Sequence, residues 1–465
     1  VLKGTEGTIL TVTDARGVEL ATGGEERVEP IPGKDLYISM DRNIQSYATQ
    51  LARQVMETKE AERVSIIVIN PRNGELYAMV DVPEFDLNHP YDLGEAGEGV
   101  SEEQKQELLN QMWRNGCISD TYEPGSTFKV ITASAGLEEG VVTPESTFHC
   151  PGYIMVEDRR IRCHKIAGHG TQTFVEATMN SCNPVFIGLG QKLGVKTYYS
   201  YLNKFGFLRK TGIDLQGEGG SIFLAEEKVG PVELGTIAFG QRFEVTPIQM
   251  ITAVSSIANG GTYVVPRVVK GIVNSQTGEV KNIEPQKKET VISKETSEKV
   301  LSMMQSVVAE GTGKNAQVKG YSIGGKTGTS EDGVNTGKYV TSFVGVAPIS
   351  NPKLVILITL YNPTGEGGHQ GGGVAAPIAS QVLGEVLPYL EVKKDNEKEE
   401  DAKNKVAVPN LEGMTIGEAK KVLKDLNLNL EYNEENTENE EERVITEQVP
   451  VSGVEVLEES SIIVK

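Results

Sequence analysis

No apolar run in these 465 residues approaches the about 18 needed to cross a bilayer; the longest, Leu354 to Tyr361, has the length of a strand. No signal peptide opens the chain either. It starts at Val1, without Met, inside a strand-like pattern (Gly7-Thr-Ile-Leu-Thr-Val-Thr-Asp14), which reads as a trimmed start from which an anchoring segment has been removed. Clusters of Lys and Arg are also missing. With 45 basic against 65 acidic residues the net charge is −20, and phosphate binding needs a basic surface, so nucleic acid is excluded as a partner. From Glu391 onward there are 20 Asp and Glu against 10 Lys and Arg, a net of −10, so half of the excess belongs to the tail. Cysteine is scarce. Four residues rule out a disulfide-scaffolded miniprotein and leave room for one bridge or one metal site.

What is present fits a folded enzyme of two or three domains: 38% hydrophobic and 24% charged residues, with 51 glycines and 20 prolines as punctuation. Residues 1–33 read as short strands and turns ending at Pro30-Ile-Pro-Gly33. An apolar stripe of Ile44, Tyr47, Leu51, Val55 and Met56 predicts a helix from Asn43 to Lys59. Two apolar runs in 64–80, split by Pro71-Arg-Asn-Gly74, predict a hairpin, and the runs 338–347 and 353–361 predict a second. Helices and loops dominate between them. Early and late strands around a helical middle give one α+β domain over 34–390. Residues 391–405, charged or small with no apolar period, form a linker, and 406–465, with a helix from Thr415 to Leu426, form a small module.

Three motifs in this frame carry chemistry. In Glu123-Pro-Gly-Ser126-Thr-Phe-Lys129 the chain breaks just before a periodic apolar run. Ser126 therefore sits at a helix N-terminus, where free N–H groups and the dipole favour an anion, and Lys129 follows on the same face. A serine hydroxyl needs a base, and a desolvated lysine serves if burial brings its pKa from ~10.4 toward 7 at ~1.4 kcal/mol per unit. Ser350-Asn-Pro-Lys353 matches the same pattern, but its proline lies on a hairpin turn that forbids helical spacing. Ser181-Cys-Asn183 is the only Ser-x-Asn in the chain. On a turn it points a hydroxyl and a carboxamide into one space. Lys326-Thr-Gly-Thr329 is a strand with a cation, two hydroxyls and a glycine, Gly328, that lets a substrate approach; it suits a peptide carboxylate. Lys210-Thr-Gly212 reads the same but lies in a loop away from any hairpin edge. Taken singly, each motif has a bland reading as an N-cap serine, a turn polar pair or a surface lysine.

In this order the three motifs form the set of penicillin-binding proteins and class A β-lactamases. The chain resembles class B penicillin-binding proteins, the D,D-transpeptidases that crosslink peptidoglycan, nearly end to end. Asp41-Arg-Asn-Ile-Gln45, Pro83-Glu-Phe-Asp-Leu-Asn88, Thr246-Pro-Ile-Gln-Met250, Ala258-Asn-Gly-Gly261 and Ser342-Phe-Val-Gly345 carry that likeness. It implies a transpeptidase fold of antiparallel sheet with a helical subdomain, and 1–33 as the remnant of a non-catalytic, dimerisation-type domain. It makes Ser126 the acylated nucleophile, Lys129 its base, Ser181 the relay, Asn183 the substrate-amide contact, and Lys326, Thr327, Gly328 and Thr329 the carboxylate site. The N–H groups of Ser126 and Thr329 would form the oxyanion hole. No cofactor is required for the chemistry. Stem peptides ending in D-Ala-D-Ala, β-lactams and a membrane-embedded glycosyltransferase are the implied partners, outside the membrane and anchored to it. Val408-Pro-Asn-Leu-Glu-Gly-Met414, Glu418-Ala-Lys-Lys-Val-Leu423 and Glu447-Gln-Val-Pro-Val-Ser-Gly453 resemble a βαββ PASTA domain. A single one implies a sporulation enzyme of the spore cortex, with a division transpeptidase or a β-lactam or muropeptide sensor as alternatives. Cys182 replaces the Asp of the β-lactamase triplet and no Glu-x-x-x-Asn lies between Asn183 and Lys326, so slow hydrolysis of a β-lactam adduct is expected.

Cys150 and Cys163 flank a hairpin turning near Glu157-Asp158, which brings their sulfurs together. A disulfide is one reading. The other is structural zinc held by Cys117, Cys150, Cys163 and His164, with Asp120 as a substitute ligand, tying the hairpin to the loop before Ser126. Cys182 is expected to be a buried thiol and His169 a loop hydrogen-bonder.

Overall fold

The computed structural model describes residues 1–465 except 17, 19–24, 333–335, 396–404 and 433–439, so most of the expected linker lies outside the described residues. Helix α1 (Arg42–Thr58) starts where the Asp41 carboxylate accepts from the N–H groups of Asn43 and Ile44. Its stripe of Ile44, Tyr47, Leu51 and Val55 is buried. The hairpin β1 (Arg63–Ile69) and β2 (Leu76–Val82) follows, and then a helical half. That half holds α2 (Lys129–Glu138), the hairpin β3 (Tyr153–Val156) and β4 (Arg159–Arg162), α3 (Asn183–Leu193), α4 (Pro247–Ala258) and α5 (Lys294–Ala309). The chain returns through β5 (Gly324–Glu331), β6 (Tyr339–Ala347) and β7 (Leu354–Tyr361) to α6 (Ala375–Tyr389).

The late hairpin joins the early one to give a five-stranded sheet of order β5-β6-β7-β1-β2, antiparallel throughout. All eight residues of β7 are buried, which is why the central strand is an unbroken apolar run rather than an alternating one. On one face Ile66, Val68, Ile356, Ile358 and Phe343 pack with α1 and α6. On the other, Ile67, Ile69, Val355 and Leu357 lie beneath α2, α3 and α4. Strand β5 pairs only with β6 and is therefore an edge whose free side faces the helical half. At the start of the 34–390 span the strand Asp35–Ile38 pairs with Val269–Val273. Residues 406–465 have their own core, including Val408, Leu411, Leu423 and Ile462. Its helix α7 (Ile416–Asp425) is opened by a Thr415–Glu418 capping box.

Candidate active site

The chain delivers Ser126 on a single tight turn, Gly125–Phe128, that runs straight into α2. That turn is braced from both sides. The Gly125 N–H donates to the Gly240 carbonyl at 2.9 Å. Gly240 holds φ +95, and a Cβ there would lie 1.8 Å from the Gly125 oxygen, so only glycine fits. Across the cleft the Ser330 hydroxyl donates to the Glu123 carbonyl at 2.6 Å. A Cβ on Gly125 would stand 3.0 Å from the Thr329 carbonyl, so the nucleophile turn abuts the backbone of β5. Gly328 is required by the same contact: its Cβ would meet Ser342 Oγ at 2.3 Å and the Pro124 carbonyl at 2.9 Å. Ser126 itself is half-buried.

Lys129 follows one turn on and is fully buried. Its Nζ donates to Ser181 O at 2.7 Å, Ser181 Oγ at 3.0 Å and Asn183 Oδ1 at 2.6 Å. Lys326 Nζ, also fully buried, donates to the same Ser181 Oγ at 3.1 Å and to Thr327 O at 3.0 Å. Burial pushes Lys129 down to about 7. Burial, then the neighbouring Lys129, holds Lys326 well below the usual ammonium range. No carboxylate takes part in these contacts, so the neutral amine of Lys129 is populated around neutral pH. A neutral lysine with a lone pair beside a serine-bearing helix turn is equipped for proton abstraction.

Ser181 reaches this position by a strained backbone. The helix Phe174–Met179 ends, and Ser181 follows at φ +49 with its N–H on Thr178 O, a place that glycine fills more comfortably. The turn lets Ser181 and Asn183 both face Lys129 while Cys182 faces away. The residues expected at a carboxylate site lie along the β5 edge, and two of them are engaged: Thr327 Oγ1 donates to Thr312 Oγ1 at 3.0 Å, and Thr329 Oγ1 donates to His369 O at 3.3 Å while accepting from Gly371 N at 3.2 Å. Thr312 and the segment His369–Gly371 were missed by the sequence reading. The glycine run around His369 was the available signal. Both rival motifs lie elsewhere: Ser350 Oγ donates to Asp395 Oδ1, and Thr211 Oγ1 donates to Glu218 Oε1.

The expected metal set needs correction. Cys150, Cys163, Cys182 and His169 come together, their ligand atoms all within 4.8 Å of one another. Cys117 is not among them. Its helix, Gly116–Ser119, is tied to the sheet by the Gly116 N–H on the Asp81 carboxylate, and its thiol donates to Val80 O at 3.3 Å. Asp120 is clamped by Arg63 and Arg114. His164 stands beside the group, Nδ1 3.9 Å from Cys163 Sγ, but His169 is nearer at 3.6 Å. The reason is the return loop: Gly168, at φ +81, packs so tightly on Cys150 that a Cβ would be 2.3 Å from its carbonyl, and this folds His169 back onto the hairpin. All four cysteines are free thiols, so the Cys150–Cys163 bridge is absent. The Cys182 thiol, then His164 and backbone N–H groups, hold the Cys163 thiol far below its ordinary range.

A serine on a helix turn, two buried lysines and an edge strand define a serine acyl-transfer site on a mixed sheet-and-helix fold. The profile of the penicillin binding protein transpeptidase domain matches residues 64–384, and that of the PASTA domain matches 406–465. Stage V sporulation protein D of Bacillus subtilis is 39% identical over 99% of this chain and 70% of its own length. Penicillin-binding protein PbpB of Mycobacterium tuberculosis is 29% identical over 83% of this chain, which spans 56% of it. Among solved structures, penicillin-binding protein 3 of M. tuberculosis complexed with aztreonam superposes with TM-score 0.70 at 28% identity, over 85% of this chain and 88% of that one. The chain belongs to the penicillin-binding protein transpeptidase family, as a class B member with a PASTA domain.

Replacing Ser181 separates its two roles. Ser181→Gly and Ser181→Ala both lose the hydroxyl, and we expect both to fall on the order of 100-fold in the rate of acylation by penicillin. Thermal melting should place the glycine variant about 1 kcal/mol above the alanine variant, because only the alanine is strained at φ +49.

Proposed function

We propose that this chain crosslinks peptidoglycan stem peptides in the spore cortex through an acyl-enzyme on Ser126. The observation that carries the mechanism is the Ser181 hydroxyl held between Lys129 and Lys326. Lys129, neutral, takes the Ser126 proton as Oγ attacks the penultimate D-Ala carbonyl. The N–H groups of Ser126 and Thr329 receive the oxyanion. Ser181 relays the proton to the leaving D-Ala amine, and an acceptor amine then takes the acyl group. The donor lies along the free edge of β5 as an added strand, with Asn183 on its amide and its carboxylate toward Lys326, Thr327 and Thr329. Gly328 keeps that edge clear. The cortex role rests on the resemblance to the B. subtilis sporulation protein and on the single PASTA domain. By the same reading, residues 1–33 are the remnant of a non-catalytic domain. The enzyme works outside the membrane, held there by a preceding helix and served by a membrane-embedded glycosyltransferase.

Fluorescent penicillin tests the chemistry. We expect one label per chain, lost in Ser126→Ala, with an adduct that is slow to hydrolyse because no Glu-x-x-x-Asn lies between Asn183 and Lys326. Labelling that survives Ser126→Ala would refute the nucleophile, and turnover within seconds would make the chain a β-lactamase.

We also propose a structural zinc at Cys150, Cys163, Cys182 and His169. The donors fit: three thiols and an imidazole are a structural zinc set, and the 3.6 Å from Cys163 Sγ to His169 Nδ1 is close to the about 3.5 Å edge of a tetrahedral ZnS₃N centre. Cys182 stands between Ser181 and Asn183, so ligation there would fix the turn that aims both at Lys129. Elemental analysis of protein purified without added metal should find one zinc per chain, and Cys163→Ser should lose it. Metal-free protein with four titratable thiols would contradict the assignment.

A further inference from the structure

The PASTA domain does not stand clear of the enzyme. Val449 is buried within the core cluster on the α1 and α6 side of the sheet, and Ile463 packs against that cluster. The Val451 N–H reaches Asn43 Oδ1 at 3.4 Å, and Asn43 in turn donates to the Tyr389 hydroxyl at 3.0 Å. This seam lies across the sheet from the helical half that carries Ser126, so docking leaves the acylation site uncovered.

One feature of the seam is chemically costly. Glu385, on α6, points its carboxyl at Ser461, whose N–H it meets at 3.3 Å. The Ser461 hydroxyl is used by a second acid, donating to Glu431 Oε1 at 2.8 Å. Two carboxyl groups from two domains thus share one serine. Among the described residues no Lys or Arg pairs with either. The groups facing Glu385 are Tyr47 from α1, Ser461 from the strand Ser461–Val464, and Glu431 from the strand Asn429–Glu431. None is cationic. Glu385 is half-buried and Glu431 exposed at the rim of the seam; two ionised carboxylates sharing one serine repel, whereas a protonated and an ionised one do not.

We propose that Glu385 and Glu431 form a proton-operated latch: the PASTA domain is docked on the transpeptidase domain while one of the two carboxyls carries a proton, and is released as that proton passes to solvent. Burial first, then Glu431, pushes the Glu385 carboxyl up to about 7 in the docked form. A carboxyl raised on docking favours docking below its undocked value near 4.5 and stops favouring it as pH rises through about 7. The window of release therefore runs from about pH 4.5 to about pH 7, and docking is weakest and constant above it. Released, the PASTA domain exposes the faces of Val449 and Ser461 that now cover α1 and α6 and is free to engage a partner. Docked, it is withdrawn from one. The latch does not touch the nucleophile, so penicillin acylation proceeds alike in both forms.

Small-angle X-ray scattering of the whole chain, from about pH 5.5 to about pH 8.5, reads the docked fraction. We expect the docking equilibrium to fall at least about tenfold between about pH 5.5 and about pH 7, with the maximum dimension growing over that interval and level above it. The Glu385→Gln/Glu431→Gln double variant, neutral at every pH, should stay compact throughout, with penicillin labelling unchanged. Dimensions in the wild type that do not change with pH would overturn the proposal, as would opening of the double variant over the same interval.

Discussion

The architecture depends on keeping two lysine amines dry beside one serine hydroxyl. Removing an ammonium from water costs several kcal/mol, and bringing Lys129 down to about 7 corresponds to roughly 5 kcal/mol of preference for the neutral form. Nothing local to a Ser-x-x-Lys turn provides this. It comes from the closed packing of α2 and α3 over the sheet, with the Phe186 ring 5.4 Å from the amine, while the acceptors Ser181 and Asn183 hold the amine in place. The strained backbone at Ser181, the tight glycine contacts at Gly240 and Gly328 and the edge position of β5 all serve to bring three distant segments to that one hydroxyl.

The cluster of Lys129, Ser181, Asn183 and Lys326 is legible because acyl transfer demands particular side chains at fixed local spacings: a serine and a lysine on one helix turn, a hydroxyl and an amide flanking one turn residue. The sheet was legible in its hairpins, from 64–80 and 338–361, since period and turn residues are local signals. The pairing of β7 with β1 was not, because register between strands nearly 300 residues apart is set by which faces are buried. The metal set shows the same limit. Cys150 and Cys163 were read correctly as neighbours across a hairpin, a local inference. Cys117 was drawn in by its closeness in sequence to Ser126, whereas its short helix is tied to Asp81 and turns the thiol to the sheet. His169 was passed over for His164, which adjoins Cys163 in sequence, because the sharp return at Gly168 is visible only in three dimensions.

Two features sit at a distance from the chemistry and act on its framework. The thiol and imidazole group includes the residue between Ser181 and Asn183, so anything bound there stiffens the turn on which the shared hydroxyl depends. The PASTA seam lies on the opposite face of the sheet and so governs what the module can reach rather than the rate of acylation. Catalysis, local order and module position are thereby assigned to separate layers of one molecule.

The central claim, that Lys129 is a neutral base because it is buried, is tested most directly by the pH dependence of the second-order rate of Ser126 acylation by penicillin. Protonated Lys129 cannot accept the serine proton, so the rate should rise about tenfold per pH unit on the acid side and level off above a midpoint near 7. A midpoint near 10, the ordinary lysine value, or a rate independent of pH through the neutral range, would contradict the account.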